Sequence, residues 1–251
     1  MKKPTVPQTS VTEPEFTVLH REAHRLLRLN RAKPDMRWIG QAISVALAAG
    51  ELPAAATVFP CVMTRAPLGG ARLVAITGLE HGHNLFVDEQ GHWSGDYLPA
   101  VLRTWPFRLL EQPQEQGVHL IAVHKPALNV GEGDPLFDED GQEMPWLQSI
   151  LRELTALDAA TASTAAAVAA LDEAGLLQAQ SLQAMLPDGR QLELTGFLSV
   201  DETKLNTLEP AKAGELHACG ALSLAYLQLL SLRKFRSLMD RAAAQSPALA
   251  A

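Results

Sequence analysis

The chain has 251 residues, of which 47% are apolar and 20% charged, and its formal net charge is −7. This composition excludes a wholly disordered chain, a collagen and a coiled-coil rod. Because an acidic surface repels phosphate backbones, the sequence predicts no nucleic-acid partner.

The N-terminal residues 1–15 contain three prolines and predict a flexible, extended tail. No apolar stretch follows the two N-terminal lysines, as a signal peptide would require. The most apolar segment, 218–232, is shorter than the roughly 18 residues of a membrane span. Cys61 and Cys219 form no metal-binding or redox motif, so that two reduced thiols and one disulfide both remain open. We therefore expect a cytoplasmic protein without a membrane span.

The middle of the chain is predicted to be rich in β-structure. Residues 16–33 fit a strand or a helix equally well. Leu52-Pro53 opens a short helix that ends at Phe59-Pro60. Apolar and β-branched runs predict strands over 61–64, 72–79, 84–88, 107–110 and 118–123, and apolar spacing predicts a helix over 96–105.

The last third is predicted to be mostly helical. A long helix begins at Pro145 and ends near Leu171, with an alanine-rich second half. Strands over 182–186 and 191–198 flank a turn, and a short helix follows them. A final helix begins at Pro210 and ends near Ala244. Its apolar part is predicted to be buried, either within the domain or across a homodimer.

This order of elements predicts an α+β fold in one domain over residues 16–245. An antiparallel, β-rich middle with hairpins would be packed by the alanine-rich helix and by the buried C-terminal helix. Two segments are alike, 85–93 (LFVDEQGHW) and 136–146 (LFDEDGQEMPW). Two similar turns, each with an acidic residue, a glycine and a nearby tryptophan, explain the likeness, and a repeat of the fold is the less favoured explanation.

Aromatic residues are concentrated between positions 86 and 146. The set is Phe86, Trp93, Tyr97, Trp105, Phe107 and Trp146. These rings predict either the core of the β-rich middle or a binding region for an apolar or aromatic group of a ligand. Arg103 either clamps a ligand carboxylate or forms a structural ion pair.

A second candidate site consists of metal ligands. On a strand, His81 and His83 would point to one face, and Asp88 follows as a candidate third ligand. Gly82 between the histidines instead favours a turn with two surface histidines. The sequence contains no G-x-S-x-G elbow and no Walker loop, so that it identifies no cofactor and weakens the enzyme hypothesis without excluding it.

Several segments, in the same order along the chain, are similar to the motifs of one bacterial family. They are 50–63 (GELPAAATVFPCVM), Ala75–Asp88 (AITGLEHGHNLFVD), Gly91–Phe107 (GHWSGDYLPAVLRTWPF), 132–137 (EGDPLF), Leu192–Leu205 (LELTGFLSVDETKL) and Tyr226–Phe235 (YLQLLSLRKF). Together they resemble the SapC family over roughly residues 45–240. The resemblance implies an association with bacterial surface layers and no established catalytic activity.

We therefore interpret the chain as a SapC-like cytoplasmic accessory or binding protein. It would recognise a peptide, a protein partner or a small apolar ligand through the aromatic-lined region. One alternative is a metal-assisted enzyme that uses His81, His83 and a nearby carboxylate. The other is a structural subunit of a surface-associated complex.

Overall fold

The computed structural model describes residues 16–31, 34–66, 69–111, 119–185 and 189–245. These residues divide into two compact units: unit 1 contains 36–99 and 160–245, and unit 2 contains 16–35 and 100–159. The predicted tail, 1–15, lies outside the described residues. The single domain over 16–245 stays a prediction.

Every strand pairing among these residues is antiparallel, and helices pack with the sheets, which confirms the predicted α+β class. The strands are β1 (Phe16–Val18), β2 (Arg28–Leu29), β3 (Ser44–Ala46), β4 (Cys61–Arg65), β5 (Ala71–Ile76), β6 (Phe107–Glu111), β7 (His119–His124), β8 (Leu128–Asn129), β9 (Asp134–Pro135), β10 (Leu177–Met185) and β11 (Gln191–Val200). The helices are α1 (Leu52–Ala55), α2 (Ala100–Arg103), α3 (Pro145–Glu173), α4 (Glu202–Asn206), α5 (Pro210–Ala218), α6 (Ala221–Ser231) and α7 (Lys234–Ala244).

Unit 1 is built on a five-stranded sheet with the order β10-β11-β4-β5-β3. Along its strands, apolar side chains either alternate with polar ones or follow one another without interruption. β4 and β5 thereby contribute side chains to a continuous core. The second half of α3 and the C-terminal helices supply the rest of that core, with Val168, Leu171 and Leu224 almost completely buried.

Unit 2 contains two three-stranded sheets, with the orders β1-β7-β6 and β8-β2-β9. A separate core lies in this unit and includes Phe107 and Val123 from the first sheet. Leu147 and Leu154 from the first half of α3 complete it, in agreement with the predicted apolar face of that helix.

Two predicted elements are wrong in detail. Residues 84–88 form a turn, which the buried Asn84 side chain holds with one distant and one local hydrogen bond. Its Nδ2 donates to the Ile39 carbonyl at 3.2 Å, and its Oδ1 accepts the Phe86 N–H at 3.0 Å. The helix predicted over 96–105 is shortened to α2. In the segment before α2, the Tyr97 carbonyl accepts a hydrogen bond from the Trp93 indole at 2.9 Å.

The predicted final helix is also divided into α5, α6 and α7. Gly220 separates the first two with a φ of +77°, a conformation that glycine adopts at no steric cost. Although α6 is apolar nearly all round, Tyr226 and Leu230 are each 54% exposed. A homodimer through this region stays a prediction.

One helix among the described residues, α3, is long and apolar enough to cross a membrane by length and composition alone. Its most apolar 18-residue stretch is 28% buried, and helices packed in protein cores pass the same test. No such segment is predicted from uncharged apolar runs alone, because a helix of this length passes the test with isolated charged residues in it.

A buried amide joins α6 to the sheet of unit 1 at the point where two strands separate. β11 pairs with β4 only at Leu198–Met63 and Phe197–Thr64. Beyond that pair, the Gln228 side chain accepts the Val200 N–H at 3.1 Å and donates to the Cys61 carbonyl at 3.1 Å. Its amide thereby replaces a missing rung of the ladder.

Ser231 completes this connection one turn later on α6. Its hydroxyl oxygen accepts the Cys61 N–H at 2.9 Å, and the same hydroxyl lies 3.1 Å from the Cys61 carbonyl. Both Gln228 and Ser231 are completely buried, so that no water replaces these partners.

The two units contain the same supersecondary arrangement. In unit 1, β4 pairs with β5 and β5 with β3; in unit 2, β6 pairs with β7 and β7 with β1. The registers correspond position by position, since Cys61 lies opposite Ala75 as Phe107 lies opposite Val123. Each hairpin follows an aromatic-proline pair whose proline carbonyl accepts an N–H from the second strand, at 2.8 Å in unit 1 and 3.0 Å in unit 2.

The two similar segments form matching turns within this arrangement. The Asp88 carboxylate accepts the backbone N–H groups two and four residues later, at 2.9 and 2.8 Å. Asp138 does the same at 3.0 and 2.8 Å. Gly91 and Gly141 close the turns with φ values of +82° and +76°. The likeness predicted for the turns therefore extends to the hairpins before them, and the sequence analysis missed this.

We expect Gln228→Leu to lower the free energy of unfolding by about 3 kcal/mol, because it leaves the Val200 N–H buried without its partner and removes one of the two hydrogen bonds to the Cys61 carbonyl. Urea unfolding monitored by circular dichroism measures the change. Tyr226→Leu, on the exposed side of the same helix, is the matched control and should change stability by less than about 0.5 kcal/mol. Equal stability of the two variants would contradict the bridging role.

We expect the buried Cys61 thiol to make the protein less stable at alkaline pH. Burial raises its pKa from 9.0 to about 12. The unfolded chain therefore releases this proton from pH 9 upward, while the folded chain retains it. The contribution of the buried thiol to the free energy of unfolding is complete below pH 9 and is lost as pH rises toward 12. The free energy of unfolding, measured from pH 8 to 11 under reducing conditions, should fall less steeply for Cys61→Ala. Cys219→Ala, which removes an exposed thiol, should retain the steeper fall.

Candidate functional site

One face of the sheet β1-β7-β6 carries aromatic and charged side chains that are only partly buried. Paired residues of an antiparallel sheet share a face, which places Phe16 with His124, and Arg108 with Ala122. Trp105, immediately before β6, joins this group. We call Phe16, Trp105, Arg108 and His124 the Arg108 face.

The rings of the Arg108 face pack against one another. Trp105 lies 4.8 Å from His124 and 5.8 Å from Phe16, between ring centroids, and the contact with Phe16 is edge to face. Phe16 and His124 are 5.7 Å apart. All three rings are half-buried, so that each has a surface accessible to a ligand.

Arg108 extends its guanidinium over this aromatic group. Its central carbon lies 3.8 Å from the Phe16 ring centroid, a close cation–π contact. Ala122, the neighbour of Arg108 on β7, is completely buried. The small side chain of Ala122 leaves the space that Arg108 crosses to reach β1.

The described residues supply no polar partner to the guanidinium of Arg108. Its Nε is buried and makes no hydrogen bond, and Arg108 forms no ion pair among the described residues. Arg241 in unit 1 provides the contrast: it lies 4.4 Å over Phe86 and also donates to the Leu85 carbonyl at 3.1 Å and to Ser94 Oγ at 2.8 Å. Since a buried N–H without a partner is costly, Arg108 is suited to an oxygen ligand that is not part of the described chain.

The equivalent face of the sheet in unit 1 is part of the apolar core. Val62 stands at the position of Arg108, and Ile76 at the position of His124. Both are completely buried aliphatic residues. The same backbone in unit 2 therefore carries a cation and an imidazole where the fold requires neither.

Three predicted ligand-binding residues lie in the core of unit 1. Phe86 is 3% exposed and stacks on Trp93 with centroids 5.5 Å apart. Phe59 contacts both rings, at 4.8 and 6.0 Å. The Tyr97 hydroxyl donates to the buried Glu51 carboxylate at 2.9 Å. These contacts agree with the core interpretation of the aromatic residues in unit 1.

The other predicted ligand-binding residues lie in unit 2, in different places. Phe107 points to the opposite face of the sheet from Arg108 and packs near Trp146, at 6.2 Å. The Trp146 indole donates to the Pro135 carbonyl at 3.1 Å, and Arg31 lies 4.6 Å over its ring. Arg103 forms an ion pair with Glu153 at 2.8 Å, the structural alternative of the sequence analysis. Of the predicted residues, only Trp105 belongs to the Arg108 face.

The predicted metal ligands lie on exposed turns. His81 and His83 flank the turn glycine Gly82, so the strand alternation that would align their rings is absent. Asp88 binds backbone N–H groups of its own turn, and the His92 N–H in particular lowers the pKa of that carboxyl. Across the parts of the chain that the structure describes, no three His, Cys, Asp or Glu residues are grouped to hold a metal ion.

The sequence analysis missed Phe16, Arg108 and His124. They are separated by up to 108 residues and meet only through strand register. One signal was present: the aromatic-proline pair Phe59-Pro60 is followed 46 residues later by Trp105-Pro106, and the second residue after the proline is valine in the first case and Arg108 in the second.

Comparison with known families supports the resemblance seen in the sequence. The SapC family model matches residues 19–238, which is most of the chain and covers the greater part of both units. Searches of curated proteins and of solved structures gave no match. The chain therefore belongs to the SapC family.

Proposed function

We propose that this SapC protein is a binding protein that recognises a peptide or protein partner through the Arg108 face. The ligand group would combine a carboxylate with an apolar or aromatic surface. The observation that carries the proposal is the Arg108 guanidinium, which lies against Phe16 with a buried and unsatisfied Nε.

The carboxylate is favoured by the chemistry of arginine. A guanidinium presents parallel N–H groups that match the two oxygens of a carboxylate, and such charge-assisted pairs are stronger than neutral hydrogen bonds. The cation–π contact with Phe16 holds the guanidinium in place, which reduces the entropy lost when the ligand binds.

The apolar part of the ligand is favoured by the surrounding surface. Trp105, Phe16 and His124 are half-buried, and Val18, on the same face, is 39% exposed. Arginine and aromatic residues in one partly buried patch are typical of the side chains that dominate protein interfaces.

We place this activity in the cytoplasm. The two cysteines support the location, since Cys61 is buried and Cys219 exposed and both are free. Free thiols are usual in a reducing compartment.

We expect N-acetyl-phenylalanine to bind this face more tightly than its carboxamide does, by about tenfold, because only the acid forms a charge-assisted pair. NMR titration, followed at the Trp105 indole and the Arg108 Nε–H, measures both affinities. In Arg108→Gln the preference for the acid should disappear.

Arg103→Gln is the matched control, since it removes an arginine of the same unit that already pairs with Glu153. It should retain the preference for the acid. Equal affinities of acid and carboxamide for the native protein, or an equal loss in both variants, would overturn the proposed function.

A further inference from the structure

In unit 1, the outer edge of the hairpin β4-β5 is covered by another strand, β11. The outer edge of β4 receives β11 at Met63 and Thr64, and the amide of Gln228 and the hydroxyl of Ser231 at Cys61. Since alternate residues of a strand direct their backbone groups to opposite sides, Cys61 and Met63 present theirs to this edge.

The corresponding edge in unit 2 is formed by β6. Phe107 and Leu109 occupy the positions of Cys61 and Met63 in the matching register. They therefore direct backbone groups away from β7, where β6 is the last strand of its sheet. The Phe107 N–H bonds to the Thr104 carbonyl at 2.8 Å. The Phe107 carbonyl and both groups of Leu109 have no partner in the described parts of the chain.

An edge strand with unpaired N–H and C=O groups is a template for another extended segment. Resting on the binding function proposed above, we infer that the partner is an extended peptide that pairs antiparallel with β6. It fills in unit 2 the place that β11 fills on β4. The open edge and the unpaired Arg108 lie on the same strand, so that one peptide engages both.

The register specifies the chemistry of that peptide. In unit 1, continuing the pairing from Leu198–Met63 places Ser199 beside Val62, the position equivalent to Arg108. A ligand residue at this position shares the face of Arg108, and an acidic side chain there supplies its missing partner. The residues on either side point to the other face, where Phe107 and Leu109 are apolar. The partner motif is therefore an acidic residue between two apolar residues.

The probe is the pentapeptide acetyl-Thr-Val-Glu-Val-Thr-amide, added to the full chain. Its first valine lies opposite Leu109 and exchanges both backbone hydrogen bonds with it. Saturating peptide should slow hydrogen exchange of the Leu109 amide by about tenfold or more, measured by NMR. The glutamine analogue of the peptide should bind about tenfold more weakly.

N-methylation of the peptide tests the strand pairing with a matched control. A methyl group on the first valine nitrogen removes the donor to the Leu109 carbonyl and should weaken binding by about tenfold. A methyl group on the glutamate nitrogen, which points away from β6, should leave the affinity within about twofold.

The outcomes separate this inference from the proposed function. If the acid still binds in an Arg108-dependent manner but Leu109 gains no protection and both methylated peptides bind alike, strand pairing is overturned and the binding function remains. If the glutamate and glutamine peptides bind equally, the role of Arg108 fails as well. If Leu109 is already protected without peptide and loses protection when residues 1–15 are deleted, the chain itself supplies the strand, and a partner peptide is excluded.

Discussion

The structure of unit 1 depends on one buried side-chain amide, that of Gln228. β4 and β11 pair over only two residues and then separate, so that the Val200 N–H and the backbone groups of Cys61 need partners other than the facing strand. Gln228 bridges them from α6, and Ser231 satisfies the N–H of the same cysteine. The C-terminal helices are thus joined to the sheet by hydrogen bonds as well as by apolar contact, and hydrogen bonds in a dry interior tolerate little displacement.

The same hairpin arrangement appears in unit 2 without a strand in the position of β11 among the described residues. This comparison within one molecule separates what the fold needs from what it does not. Where unit 1 places Val62 and Ile76 in its core, unit 2 places Arg108 and His124, partly exposed. Aliphatic residues at both positions are compatible with this backbone, so stability alone does not account for an arginine with an unsatisfied Nε.

The aromatic residues of the chain illustrate why composition alone does not define a site. Phe86 and Trp93 stack in the core of unit 1 beneath Arg241, whose guanidinium has hydrogen-bond partners. Trp105 lies on the Arg108 face, where the Arg108 Nε has no partner among the described residues. The same residue types and the same cation–π geometry therefore serve packing in one unit and present an unsatisfied donor in the other.

The sequence by itself determined the α+β class, the hairpin strands β4 to β7 and the long helix α3, because alternation and helical spacing are local signals. Its motifs also carried the resemblance to the SapC family, to which the chain belongs. It also identified Trp105 as a candidate binding residue. Only the tertiary structure decided that Asn84 holds a turn in place of a strand, that Gln228 replaces a ladder rung, and that Phe16 meets Arg108. Each of these depends on strand register and on contacts between distant segments, and a shift of one residue in register would turn Arg108 to the opposite face.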